Sequence, residues 1–142
     1  FARAVSVVLT KGNVLDTIIY ALSIPLKQIP ISFSAIGMYF TQSIINFFVP
    51  SGSGQATVTM PIMAPLADII GMTRQTAVVA FQLGDGLTNM IIPTFGTLII
   101  YISIAKVDYK TYIKWVYPLY FMLVGVACVS LLAATAMKLG PF

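Results

Sequence analysis

Two short stretches repeat one pattern of chemically useful groups: Asn46-Phe-Phe-Val-Pro50-Ser51 and Asn89-Met-Ile-Ile-Pro93-Thr94. Each sets an amide side chain four residues before a proline and a hydroxyl immediately after it. Proline lacks an amide hydrogen, so where a helix persists to it, the carbonyl four residues earlier loses its partner. In both stretches that carbonyl belongs to the asparagine. A backbone oxygen, an amide and a hydroxyl then gather where the helix opens, a donor set suited to a hard cation such as sodium. The helix restarting beyond the break offers free amides and a positive dipole end, which suit a carboxylate. The second stretch also follows Gly84-Asp85-Gly86 and Thr88. An acid at membrane depth costs roughly 2.5 to 3.5 kcal/mol, a cost that protonation or a bound cation removes. Asp85 is therefore the candidate for ion coupling, with Asn46, Gly84, Thr88 and Asn89 around it and a sodium ion expected at Asn46, Asp85 and Asn89. Two structural readings compete: a plain proline kink at either break, and a simple hydrogen bond from Asp85 to a broken-helix amide.

The elements that must position these groups are membrane elements. Of 142 residues, 58% are hydrophobic and only 8% are charged, eight Lys or Arg and four acids; a soluble domain carries about 25% charged residues. Mean hydropathy is +0.95. There is no His and only one Cys, and all four acids are aspartates. That composition excludes His-dependent triads, His/Cys zinc sites and a disulfide framework. Ser51 and Ser53 have no basic neighbour to activate them, so an enzyme is not expected. The basic residues are scattered without a run, which leaves nucleic-acid binding without support. The chain opens at Phe1 with no initiator Met, and it reads as the C-terminal piece of something longer.

Breaks in hydropathy divide the chain into segments. Residues 1–12 read as the end of a transmembrane helix stopped by Gly12. Residues 13–30 read as an amphipathic arm: Asn13 caps it, Val14, Leu15, Ile18, Ile19, Leu22 and Leu26 share one face, and Pro25 and Pro30 close it. A helix lying in the membrane interface and an ordinary connector helix both fit. Residues 28–67 carry no charge, and their middle combines Pro50, two glycines and several hydrogen-bonding side chains. Backbone opened there must be buried in protein or line a wet cavity. Over 31–70 this favours a re-entrant hairpin above a pair of full spans, with helix 33–49, an irregular tip at 50–56 and a returning helix at 57–70. Residues 71–105 read as a discontinuous transmembrane helix, interrupted at 84–89 and at Pro93-Thr94. Residues 106–142 read as a charged loop to Lys114 and a clean span over 115–137, with tyrosines and Trp115 forming an aromatic belt at its start.

Pro50-Ser-Gly-Ser-Gly-Gln-Ala56, then Met60-Pro61-Ile-Met-Ala-Pro65-Leu-Ala-Asp68, then Gly84-Asp85-Gly86 with Thr88-Asn89 and Pro93-Thr94 resemble the anaerobic C4-dicarboxylate carrier family. The resemblance covers nearly the whole chain and is nearest the branch labelled a basic amino acid antiporter. It implies an all-α, multi-pass protein of the bacterial inner membrane, one half of an inverted-repeat transporter with a re-entrant hairpin and a broken helix meeting at mid-membrane. By position it implies that Ser51, Gly52, Ser53, Gly54, Gln55 and Thr57 form a substrate-binding tip, facing Asn89 and Thr94 at the break. It implies an elevator-like secondary carrier with no cofactor beyond a sodium or proton coupling ion, and places 106–114 in the cytoplasm. The partners implied are a small carboxylate or amino-acid substrate, the lipid bilayer, the missing N-terminal repeat of the same chain and a second copy in a homodimer. The reading in competition is a structural or channel-like subunit without coupled transport.

Overall fold

The computed structural model describes residues 29–140; the expected helix end over 1–12 and nearly all of the arm over 13–30 lie outside them. Among the described residues the elements are all helical: α1 (Ile31–Phe48), α2 (Gly52–Ile70), α3 (Arg74–Thr88), α4 (Gly96–Ile104) and α5 (Tyr109–Ala136).

α1 starts directly after Pro30, whose fixed backbone angle suits a helix start and whose carbonyl accepts from the Phe33 and Ser34 amides. It runs to Phe48, with Val49 closing the last bond to Ile45. The chain then reverses within Val49-Pro50-Ser51. The irregular tip is thus shorter than the composition of 50–56 suggests, because Ser51 takes up an extended conformation and its carbonyl receives the Gln55 amide at 2.7 Å, which starts α2. α2 continues through Pro61 and Pro65 and ends at Gly71, in the left-handed region at φ 78°. Gly71 and Met72 donate to Asp68 and Ala67, the double closure that favours glycine at this position. Thr73 then caps α3 by accepting the Thr76 amide.

α3 runs on through Gly84-Asp85-Gly86 to Thr88, and the backbone opens at 89–95. A glycine inside a helix costs about 1 kcal/mol against alanine, and tertiary packing overrides that cost here. A Cβ on Gly84 would lie 2.7 Å from the Gln42 Cβ and 3.0 Å from the Tyr39 carbonyl oxygen, so the missing side chain at Gly84 lets α3 lie close against α1. Those two helices make the most extensive contact in the fold. They run in the same direction: Ile31 lies near Gly71, Gln42 near Gly84, and Asn46 bonds Asn89. α2 returns antiparallel to both. Between the helices lies a core of Ala35, Met38 and Tyr39 from α1, Met63, Leu66 and Ala67 from α2, Ala77 and Ala80 from α3, and Ala127 and Leu131 from α5.

α4 ends with Lys106 at φ 54°, where Lys106 and Val107 donate back to Ser103 and Ile102. Asp108 accepts the Lys110 amide and starts α5, so the helix begins inside the segment read as a loop to Lys114. α5 has 28 residues, about 42 Å at 1.5 Å per residue. Among the described residues it is the one helix long and apolar enough by itself to cross a membrane. It runs antiparallel to α3, with the Thr73 hydroxyl donating to the Leu139 carbonyl at its far end at 2.7 Å.

Candidate functional site

The tip of the α1–α2 hairpin and the open backbone after α3 lie side by side. Asn46, fully buried, donates from Nδ2 to the Asp85 carbonyl at 3.1 Å and to the Asn89 side-chain oxygen at 2.9 Å. Asn89 in turn donates to the Asp85 carboxylate at 3.3 Å. The Thr94 hydroxyl donates to the Phe47 carbonyl at 3.0 Å. The asparagines of the two repeated stretches thus meet, and the hydroxyl after the second proline ties that break to the end of α1.

The Asp85 carboxylate lies beside the start of α2. A Cβ on Gly52 would lie 2.9 Å from the Asp85 Oδ2, so the start of α2 comes close to the carboxylate, and a larger residue there would push the Asp85 side chain aside. The first-turn amides of a helix have no partner within it, and α2 has no side-chain cap. Its positive end therefore faces Asp85, in a chain that has no basic residue between Arg74 and Lys106.

The expected site residues divide between two surroundings. Asn46, Gly52, Asp85, Asn89 and Thr94 converge on the junction, with Gly84 and Thr88 buried beside it on α3. Ser51, Ser53 and Thr57 are exposed, and Thr57 bonds the Ser53 carbonyl within its own helix. Gly54 packs on Ser51, whose Oγ lies 3.2 Å from the position of a Cβ there. Gln55 is fully buried and turned into α1, donating to the backbone and side-chain oxygens of Gln42 at 2.9 and 2.7 Å.

The donor set suits a sodium ion in its chemistry and only partly in its arrangement. Asn46 Oδ1 and Thr88 Oγ1 are buried oxygens without a hydrogen-bond partner, and Asp85 adds a carboxylate, so oxygen ligands of the right hardness are present. The Asn46 group facing Asp85 and Asn89 is its NH2, however. A cation held between these three residues would need that amide to turn over, releasing both of its bonds. No group of three His, Cys, Asp or Glu that would suit a transition metal occurs among the described residues.

Three residues of this neighbourhood carried no functional signal in the sequence. Gln42 stands between Thr41 and Ser43 in a mostly apolar helix, and its contact with Gln55 depends on the hairpin closing. Tyr109 and Tyr112 look like an aromatic belt, yet their hydroxyls donate to the Ile91 and Met90 carbonyls of the open segment. Beside Thr88 a groove of about 350 Å³ is lined by Phe40, Ser43, Phe47, Ile92 and Tyr120.

A family model described as C4-dicarboxylate anaerobic carrier matches residues 1–136. The chain belongs to that family. It is 37% identical over 119 residues, 80% of this chain, to the "Putative basic amino acid antiporter YfcC" of Escherichia coli strain K12. It is 33% identical over 118 residues, 83% of this chain, to an "Uncharacterized protein" of Haemophilus influenzae. The matches cover 24% and 23% of those relatives, so the chain spans about a quarter of their length. No solved structure matches it.

Proposed function

We propose that this chain supplies one of two inverted repeats of a secondary active transporter in the bacterial inner membrane, moving a small carboxylate-bearing metabolite, a C4-dicarboxylate or an amino acid, in exchange or symport with sodium or protons. In this reading α1 and α2 form a re-entrant hairpin and α3 with α4 a broken transmembrane helix. Their meeting point is half of the substrate and ion site, and the partner repeat supplies the other half. The two breaks move together in an elevator-like step. Family membership supports the carrier. The observation that carries the site is the closed set of bonds among Asn46, Asp85 and Asn89 at the positive end of α2. It brings a titratable acid, oxygen ligands and unpaired amides to one point, as coupling of an ion to an anionic substrate requires.

The test is uptake by the intact carrier in proteoliposomes, comparing succinate, arginine and acetate while sodium and pH are varied. Saturable uptake of one class with an ion dependence is expected. Asp85→Asn is expected to lower it at least roughly tenfold, equivalent to about 1.4 kcal/mol, and to flatten the ion dependence. Unchanged coupling in Asp85→Asn would remove the site, and non-saturable flux would favour a channel-like subunit.

A further inference from the structure

We propose that the cavity beside the first turns of α5 binds the headgroup phosphate of an anionic phospholipid, held by Lys110 and Lys114. The cavity measures about 380 Å³ and is lined by Ile91, Tyr109, Lys110, Ile113, Lys114 and Tyr117. The two lysines stand four residues apart and so share one face of the helix. Among the described residues neither lysine has an acidic partner. Among the described residues the only ion pair is Arg74 with Asp68; Asp108, the nearest acid in sequence, is engaged in accepting the Lys110 backbone amide. An anion seated between two lysines one turn apart is attracted by both.

The location selects the source of the anion. α5 is the helix fit to cross the bilayer, and its first turns carry Trp115 at 82% and Tyr117 at 45% exposure, aromatic anchors of the level where headgroups lie. Clustered lysines at that level attract anionic lipid. The cavity exceeds the size of a bare phosphate, and its other walls, Ile91, Ile113 and the Tyr117 ring, suit a glycerol backbone and the first carbons of an acyl chain. One wall also belongs to the open segment after α3, since Tyr109 holds the Ile91 carbonyl.

The experiment reads binding and not uptake, so it stands or falls separately from the transport reading. Trp115 is the single tryptophan of this chain; any others in the intact carrier are replaced by Phe, and the protein is reconstituted into phosphatidylcholine vesicles. These contain a minor fraction of brominated phosphatidylglycerol or the same fraction of brominated phosphatidylcholine. Quenching of Trp115 is expected to favour phosphatidylglycerol, roughly fivefold in effective concentration for one lysine and more for two. Lys110→Gln with Lys114→Gln is expected to abolish the preference, the double Arg variant to keep it, and Lys138→Gln at the other end of α5 to leave it intact. Equal quenching by the two lipids, or a preference that survives the double Gln change, would overturn the proposal. Loss of the preference on adding millimolar inorganic phosphate at constant ionic strength would assign the cavity to a soluble anion and overturn the lipid.

Discussion

The two breaks begin from the same pattern and end differently. At the first, the helix persists to Phe48, Asn46 stays inside it fully buried, and the chain reverses within three residues into α2. At the second, the helix stops at Thr88, Asn89 is its cap, and the chain stays open over 89–95 before α4. The asparagine-proline spacing marks where a helix opens, but the path of the chain beyond the opening is set by the residues after the proline and by tertiary partners. After Pro50, Ser-Gly-Ser-Gly lets α2 start at once, close against Asp85. After Pro93, the Thr94 hydroxyl is drawn to the Phe47 carbonyl, and two tyrosines of α5 satisfy the carbonyls of Met90 and Ile91. The two breaks thus lean on each other through Asn46 and Thr94, and the second alone also takes two bonds from the tyrosines of α5.

That contrast is most open to disruption at the glycines flanking Asp85. Gly84→Ala places a Cβ against the Gln42 Cβ and the Tyr39 backbone, which cannot yield without separating α1 from α3. A loss of about 1 to 3 kcal/mol in the unfolding free energy of the intact carrier is expected. Gly86→Ala meets nothing within 4 Å and should stabilise the same helix by about 0.5 to 1 kcal/mol. Denaturant unfolding of the two variants side by side checks the opposite signs; equal effects would mean that the glycines serve flexibility and not packing. The next largest difference is expected between the asparagines. Asn46→Ala removes two donors from a fully buried position and should cost about 1 to 3 kcal/mol, whereas Asn89→Ala, at a half-buried cap, should cost about 0.5 to 1.5 kcal/mol. A double-mutant cycle would show whether the bond between them couples the two breaks; additive losses would separate them.

The same residues show how much was legible in advance. Both asparagines, both prolines and Asp85 stand out because polar groups in apolar runs are rare, and the helical class follows from composition. That the asparagines bond each other across 43 positions is a tertiary fact with no local signature. The uninterrupted helix through Gly84-Asp85-Gly86 was hidden for the same reason: the atoms that make a small residue necessary there belong to Gln42 and Tyr39, on another helix. Ser51, Ser53 and Thr57 drew attention as hydroxyls, but α2 starts earlier than its glycines suggest and turns them outward. Tyr109 and Tyr112 have the composition of an interfacial belt, and only the antiparallel approach of α5 shows that they also serve the break.

The tyrosines give the next smaller test. Tyr112→Phe and Tyr109→Phe each free one carbonyl of the open segment and should cost about 0.5 to 1.5 kcal/mol. Hydrogen exchange at 89–95 should quicken while the tip at 49–51 is unaffected. Faster exchange at both would mean that the breaks share their support. The smallest effect belongs to the turn between α2 and α3, where Arg74 bonds the Asp68 carboxylate at 2.6 Å with both side chains about half exposed. The guanidinium holds the Asp68 carboxyl below its ordinary value. A folded-state value lower than the unfolded one means that the pair adds stability in full above the unfolded carboxylate range and loses it as pH falls through the folded value. Salt screens so exposed a pair, and its contribution should shrink at high ionic strength. Unfolding midpoints followed from neutral to acidic pH should show a slight decline that Asp68→Asn removes, with exchange at both breaks unchanged. If the decline persisted in the Asp68→Asn protein, the pair of Arg74 and Asp68 would not be its source, and the turn would contribute nothing measurable to stability.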